Sequence, residues 1–485
     1  MKTKQAFNPY MPSWEYVPDA EPHVVDGRVY VYGSHDLFNG LNFCLGDYVC
    51  WSAPVDDLGN WKYEGCIYRR EQDPAAPRIR LTNGLAAPDM VKGPDGRFYL
   101  YYFMGGTKMI SVAVCDTPAG KYEFYGYVKY ADGTPIGKKK EPFQFDPGVF
   151  MDDDGRLYLY TGFAFGGNPI LLDGSKPTEH GPMWFELDTS DMLSVVSGDD
   201  VHYMGVLTGK EAVGTAYEEQ PFGEASSMRK FNGKYYFIYS SLNSHNLCYA
   251  VSDKPTEGFR YGGILVSCGD IGLPGVPDVK HARMSTGNTH GSLIEINGKH
   301  YVFYHRHSNR KQSSRQGMAE EIRFEDGKFY QAEMTSCGLN GGPLKGRGSY
   351  SSCIACNLYG KDGTRFLSML KMPKGHTPFL TQDGGDRESG PDQYIANMCD
   401  GAVAGFKYFD LRETSGIRIN IKGNASGVVH VCTTENGNPA ADIKISPSRE
   451  VKGFSAELEA PQEKQALFFK YEGKGSFDFL SFDLK

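Results

Sequence analysis

Short apolar strands recur along the first two-thirds of the chain, each running into Asp-Gly or Asn-Gly and leaving as an aromatic strand. Five segments share the pattern: Asp26-Gly27-Arg28-Val29-Tyr30, Asp95-Gly96-Arg97-Phe98-Tyr99, Asp154-Gly155-Arg156-Leu157-Tyr158, Asn232-Gly233-Lys234-Tyr235-Tyr236 and Asn297-Gly298-Lys299-His300-Tyr301. A two-residue type I′ turn needs positive φ at both central positions, which Asn/Asp-Gly supplies at least steric cost. In the strand that follows, side chains alternate, so the basic residue and the tyrosine two places on share a face. The five glycines lie 59 to 78 residues apart, room for about four strands and long loops per unit. Four-stranded sheets repeated around an axis form a propeller, and five copies predict five blades. A sixth match, Asp326-Gly327-Lys328-Phe329-Tyr330, follows Gly298 too soon for a new blade and reads as an outer hairpin of blade five.

Beyond about residue 335 the repeat stops. Residues 338–348 are rich in glycine and read as a boundary loop. Alternating strands follow, as in Gly416-Ile417-Arg418-Ile419-Asn420-Ile421 and Gly427-Val428-Val429-His430-Val431, and the chain closes with two more around a Gly-rich turn. The expectation is an all-β protein: a five-bladed β-propeller over residues 1–335, then a jelly-roll-like β-sandwich over 336–485.

Composition fits many short strands and tight turns, with 59 Gly, 31 Tyr and 29 Phe in 485 residues. A net charge of -8 argues against nucleic acid as a partner. No stretch approaches the ~20 apolar residues that span a bilayer, and the first residues lack the apolar core of a secretory signal. Eleven cysteines have no metal-ligand spacing, Cys353 and Cys356 forming a lone CxxC. Reduced cysteines in a cytoplasmic protein are the expectation.

Seven to nine residues before each of the five glycines stands one ionisable residue: Asp19, Asp89, Asp146, Glu224 and His290. Equivalent positions in the first strands of a propeller line its central channel, so these side chains should converge at one mouth. Crowded carboxylates raise one another's pKa, a costly arrangement retained for catalysis or cation binding more often than for stability. Glycosidic hydrolysis needs two carboxyl groups of this kind, one ionised to activate water and one protonated to donate to the leaving oxygen. A channel plugged by salt-bridged carboxylates is the structural alternative.

These residues resemble glycoside hydrolase family 43, over roughly residues 6–335. Val17-Pro18-Asp19-Ala20-Glu21-Pro22-His23-Val24 is similar to its first-blade motif, which implies Asp19 as general base. The family commonly has proline directly after this aspartate, whereas here Pro22 comes later. Phe145-Asp146-Pro147-Gly148-Val149-Phe150 resembles the motif whose aspartate tunes and orients the acid. Gly223-Glu224-Ala225-Ser226 resembles the general-acid motif. Gly287-Asn288-Thr289-His290-Gly291-Ser292 resembles the stretch whose histidine approaches a hydrated cation, usually Ca²⁺. Arg315, in Ser314-Arg315-Gln316-Gly317, matches a sugar-binding arginine, and Asp89 a structural carboxylate. Trp14, just before Asp19, is a candidate sugar platform or a core residue. The end of the chain resembles carbohydrate-binding module family 6, in fold more than in site.

The resemblance implies an inverting, exo-acting α-L-arabinofuranosidase acting on small arabinoxylan-type oligosaccharides, with β-xylosidase, or both activities, as the alternative. A non-catalytic carbohydrate-binding propeller is an alternative of another class, and a retaining hydrolase a third.

Overall fold

The structure is a computed structural model that describes residues 4–76, 84–138, 141–166, 172, 174–364, 366–367, 377–386 and 393–485. Its elements with described bounds are strands and short 3-10 turns. Four antiparallel sheets of four strands come first: Glu21–Val25 to Lys62–Tyr68, Leu85–Lys92 to Glu123–Tyr127, Gly148–Met151 to His202–Tyr203, and Phe222–Phe231 to Arg260–Val266. A fifth sheet has three strands, Ser292–Ile296, Lys299–Ser308 and Lys311–Ile322.

The first strand of each sheet touches the first strand of the next, and the fifth touches the first, so the five innermost strands form a closed cycle. A parallel bridge between Ala20 and Gly291 joins the two ends. Apolar clusters fill the gaps between neighbouring sheets; Tyr48 and Tyr68 of the first sheet, for example, pack against Leu100 and Tyr102 of the second. Edge-on aromatic pairs such as Tyr48–Tyr102, 5.8 Å between centres, are what tyrosine-rich strands supply to such a gap.

Three of the five repeat turns have the expected geometry, with positive φ at Asp26 and Gly27, Asn232 and Gly233, and Asn297 and Gly298. Asp95-Gly96 and Asp154-Gly155 differ: only the glycines are left-handed. There the Gly93 and Asp152 N–H groups reach the carbonyls of Arg97 and Arg156, closing a longer loop with glycine as its left-handed residue. The shared face holds in both, with Arg97 over Tyr99 and Arg156 over Tyr158. The sixth match is not an outer strand of the fifth sheet. Phe324–Glu325 and Lys328–Phe329 pair only with each other, and the hairpin packs across the fourth and fifth sheets: Phe329 N–H donates to Tyr249 Oη of the fourth (3.0 Å), and the Phe324 ring lies 4.5 Å from that of His300 of the fifth.

Two six-stranded sheets make up the C-terminal part. Phe406 and Phe469 of one meet Phe479 and Phe482 of the other, with Phe406 and Phe482 4.8 Å apart. The boundary loop read from glycine content is docked rather than free: Leu344 is fully buried and Leu344–Lys345 pairs in parallel with the end of Val403–Asp410. One apolar cluster runs from the fourth and fifth sheets (Tyr249, Tyr304, Met318) into the C-terminal sheets (Leu358, Phe406, Phe482). Polar anchors cross the same boundary. Buried Arg306 donates to the carbonyls of Ala355 (2.7 Å) and Cys353 (2.6 Å), and buried Lys407 pairs with Asp270 (3.0 Å). All eleven cysteines are free, Cys353 and Cys356 among them, both buried. Among the described residues no helix is long and apolar enough to cross a membrane.

Candidate active site

The innermost strands are irregular where they carry the acids. Asp19 (φ 58°) and Asp146 (φ 47°) are left-handed, which aspartate tolerates better than most residues, and each stands just before its strand begins. Glu224 lies between two register shifts of Phe222–Phe231, followed by left-handed Ala225. Such bulges re-aim a side chain out of the ladder and are enriched beside active sites. Gly223 is required here, since a Cβ would meet the ring of Phe165 at 2.8 Å.

Asp19 is buried and bound by Arg315, whose Nη1 donates to Oδ1 at 2.8 Å. Asp36 grips the other side of that guanidinium, accepting from Nε (2.8 Å) and Nη2 (3.0 Å), and itself receives Cys44 N–H. Arg315 is thus held between two aspartates, with Phe43 stacked on it. Buried His305 accepts from Asp19 N–H (3.4 Å) through Nδ1 and faces the Asn288 carbonyl with Nε2, so the neutral ring carries its proton there. Burial holds His305 well below the usual histidine range.

Asp146 meets His290 Nδ1 at 3.5 Å. Burial raises the Asp146 carboxyl, against the pull of His290. Burial works against an imidazolium at His290, but Asp146, Asp19 and Glu21 outweigh it and bring the ring to about 9. Its Nε2 is buried without a hydrogen-bond partner. Glu224 is pushed up to about 8, by burial first and by the negative charge of Asp146 second. Asp146, His290, Asp19 and Arg315 all act electrostatically on Glu224, and Asp146 and Asp19 act on His290, so the five share one site.

Asp89 does not join them at the mouth. Fully buried, it binds His23 Nε2 (2.8 Å) and accepts Val149 N–H (2.9 Å), tying the first three innermost strands together. Beside it lies Glu21, paired with Arg229 and raised to about 7 by burial and by Asp89. Glu21, His23 and Asp89 bring ligand-type atoms within 4.8 Å of one another. Sequence reasoning passed over Glu21, yet it stands two residues from Asp19, where period-two alternation would have flagged it. Trp14 packs edge-on against Trp51, 6.2 Å between centres, in the apolar cluster of the first sheet. Among the described contacts it has none with the acids.

Two further residues come from loops. His245 Nδ1 lies 3.9 Å from Glu224 Oε1, its ring stacked on Phe165 at 4.5 Å. Phe366, from the C-terminal part, sits next to His245 with 6.0 Å between ring centres.

A site of this kind can hold one carboxyl protonated and another paired with a guanidinium, which suits acid–base hydrolysis. Comparison with known proteins agrees. The model of glycosyl hydrolases family 43 matches residues 15–329. A xylosidase/arabinosidase of Thermoclostridium stercorarium is 48% identical over 484 residues, 99% of each chain. A xylosidase/arabinosidase of Bacteroides ovatus is 31% identical, over 63% of this chain and 89% of its own. Among solved structures, a family 43 β-xylosidase/α-arabinofuranosidase from a compost microbial metagenome, bound to xylotriose, superposes with a TM-score of 0.52 at 28% identity, over 68% of this chain and 98% of that one. The chain is a glycoside hydrolase and belongs to glycosyl hydrolases family 43.

Proposed function

We propose that the five sheets form a five-bladed propeller within residues 1–335, and that Asp19 is the general base, Glu224 the general acid and Asp146 the group that tunes the acid, in an inverting, exo-acting hydrolysis. The observation that carries the reading is Glu224, held protonated by burial and by Asp146 in the same site as an Arg315-bound Asp19. Asp19 would take a proton from water as its oxygen attacks the anomeric carbon. The glycosidic bond breaks, and Glu224 gives its proton to the departing oxygen. Net, one water is added across the bond. Inversion wants about 6.5–9.5 Å between the two carboxyl groups, and acids on opposite sides of a ring suit that span.

Relatives named for xylosidase and arabinosidase activity support a pentose at the non-reducing end. We favour α-L-arabinofuranosidase action on short arabinoxylan-type oligosaccharides; β-xylosidase action, alone or beside it, is the second reading, favoured by the relative named β-xylosidase in Xylanibacter ruminicola. Trp14 keeps no part in the reading, and Arg315 serves Asp19 first and sugar hydroxyls second.

The residues fit a hydrated Ca²⁺. His290 Nε2 and Glu21 Oε1 are both buried without hydrogen-bond partners, and water supplies the remaining oxygen ligands that Ca²⁺ prefers. His290, with its Nε2 proton lost to make room for the ion, would hold it together with Asp146 and Glu21, and the ion would offset the crowded negative charge. Eleven free cysteines favour a reducing compartment such as the cytoplasm. The C-terminal sandwich, likened to carbohydrate-binding module family 6, serves on this reading as a packing partner of the propeller.

A screen of nitrophenyl α-L-arabinofuranoside against β-D-xylopyranoside decides the sugar, and proton NMR of the first-formed anomer decides the stereochemistry. Turnover of neither glycoside would favour a non-catalytic sugar-binding protein; retention of configuration would make Asp19 a nucleophile.

A further inference from the structure

We propose that Phe366, carried by the C-terminal part of the chain, is the platform for the leaving-group sugar. The inference rests on the reading of Glu224 as the acid, since whatever lies beside the acid on the departing side is the leaving group.

Three rings run outward from Glu224. Phe165 is fixed against Gly223, the residue before the acid, and His245 stacks on it with an interplanar angle of 5°. Burial holds His245 down near 4, so the ring is a neutral, flat surface and not a counter-charge for Glu224. Its backbone is left-handed (φ 50°) and pinned by its N–H to the Ser241 carbonyl, which fixes the direction in which the ring points. Phe366 ends the row, tilted 35° to His245 and 44% exposed.

The position of this ring is built. Phe366 forms a parallel bridge with Thr286, Leu367 N–H donates to the Thr286 carbonyl (2.7 Å), and Gln312 Nε2 holds the Leu367 carbonyl (2.5 Å). Thr286 lies four residues before His290, so the C-terminal segment is stitched to the same loop that supplies the channel histidine. An apolar ring beside a few placed polar groups is the usual composition of a sugar-sized site. The C-terminal part would then complete the active site.

The test pairs substrates with and without a leaving sugar: xylobiose against β-D-xylosyl fluoride, or arabinosyl-xylobiose against α-L-arabinofuranosyl fluoride, according to the glycone accepted. In Phe366→Ala, kcat/KM on the oligosaccharide should fall 10- to 100-fold, mostly through KM, with the fluoride changed less than about threefold and thermal stability unchanged. Phe366→Tyr should restore most of the loss. Equal losses on both substrates, or no loss on the oligosaccharide, would overturn the proposal. Glu224→Gln is run alongside. If it stays active on the oligosaccharide, the acid assignment has failed; if it is inactive while Phe366→Ala matches wild type, only the platform has failed.

Discussion

Glu224 offers the sharpest quantitative test. Burial first, and the charge of Asp146 second, push the Glu224 carboxyl from the ordinary 4.5 up to about 8. The difference corresponds to about 5 kcal/mol against ionisation. At pH 7 the side chain is then mostly protonated, whereas an ordinary glutamate is almost wholly ionised. Because only the protonated form can donate, activity should persist through neutrality and fall as pH rises through about 8. The assay is kcat/KM against pH, read on a substrate with a poor leaving group. In Glu224→Gln that alkaline limb should vanish and the rate should drop by ~10²–10⁴, with a smaller loss on dinitrophenyl glycosides, which need no proton. Asp146→Asn removes the second-largest cause of the shift and should move the limb to lower pH. An alkaline limb centred below pH 6 in the wild type, or one that survives in Glu224→Gln, would refute the reasoning.

Replacing Asp19 by Asn should lower kcat by ~10³ or more with little change in KM for the sugar; a tenfold loss or less would remove it from the base role. For the cation, elemental analysis of the purified protein should find Ca²⁺ at about one ion per chain, lost on chelation together with part of the activity. His290→Gln should fail to retain it, and a metal-free, fully active wild type would exclude the ion.

The turns and the acids were legible because both depend on local chemistry. Asp-Gly and Asn-Gly need no distant partner to prefer a tight reversal, so five repeats announced five sheets. What the dipeptide does not encode is the number of residues closing the loop, and Asp95-Gly96 and Asp154-Gly155 took the longer form through the N–H groups of Gly93 and Asp152. The register of one ionisable residue per repeat found Asp19, Asp146, Glu224 and His290, and it also enrolled Asp89, whose side chain binds His23 and the Val149 N–H instead. Looking for one residue per repeat hid Glu21. Asp36, His245, His305 and Phe366 lie outside the repeat, and only the fold brings them to the acids. The hairpin at Asp326-Gly327 was recognised as a hairpin, but it joins no sheet: its apolar side packs across two, bonded to Tyr236 and Tyr249 of the fourth and laid on His300 of the fifth, contacts the turn does not encode.

Whether residues 1–335 make an enzyme alone follows from the boundary they share with the rest. Arg306 is fully buried, and its guanidinium satisfies the carbonyls of Cys353 and Ala355 and the side chain of Gln316. Cutting the chain at 335 removes the two carbonyls and exposes the apolar face that Tyr304 and Met318 present to the C-terminal sheets. Asp270 loses Lys407, the cation that compensates it in the interior. Removing one partner of a buried ion pair costs about 3–5 kcal/mol, and each lost acceptor of a buried donor about 1–3 kcal/mol. Together these approach the whole stability of a typical domain, about 5–15 kcal/mol. Expression of residues 1–335 should therefore give aggregated protein rather than a minimal hydrolase, as judged by size-exclusion chromatography and activity on aryl glycosides. A folded, active fragment would mean that the shared core is incidental. Loss of both fold and activity, set beside a stable full chain that loses only oligosaccharide turnover in Phe366→Ala, would separate two services of the C-terminal part: covering the apolar face of the five-sheet part, and, as proposed, carrying the leaving-group platform.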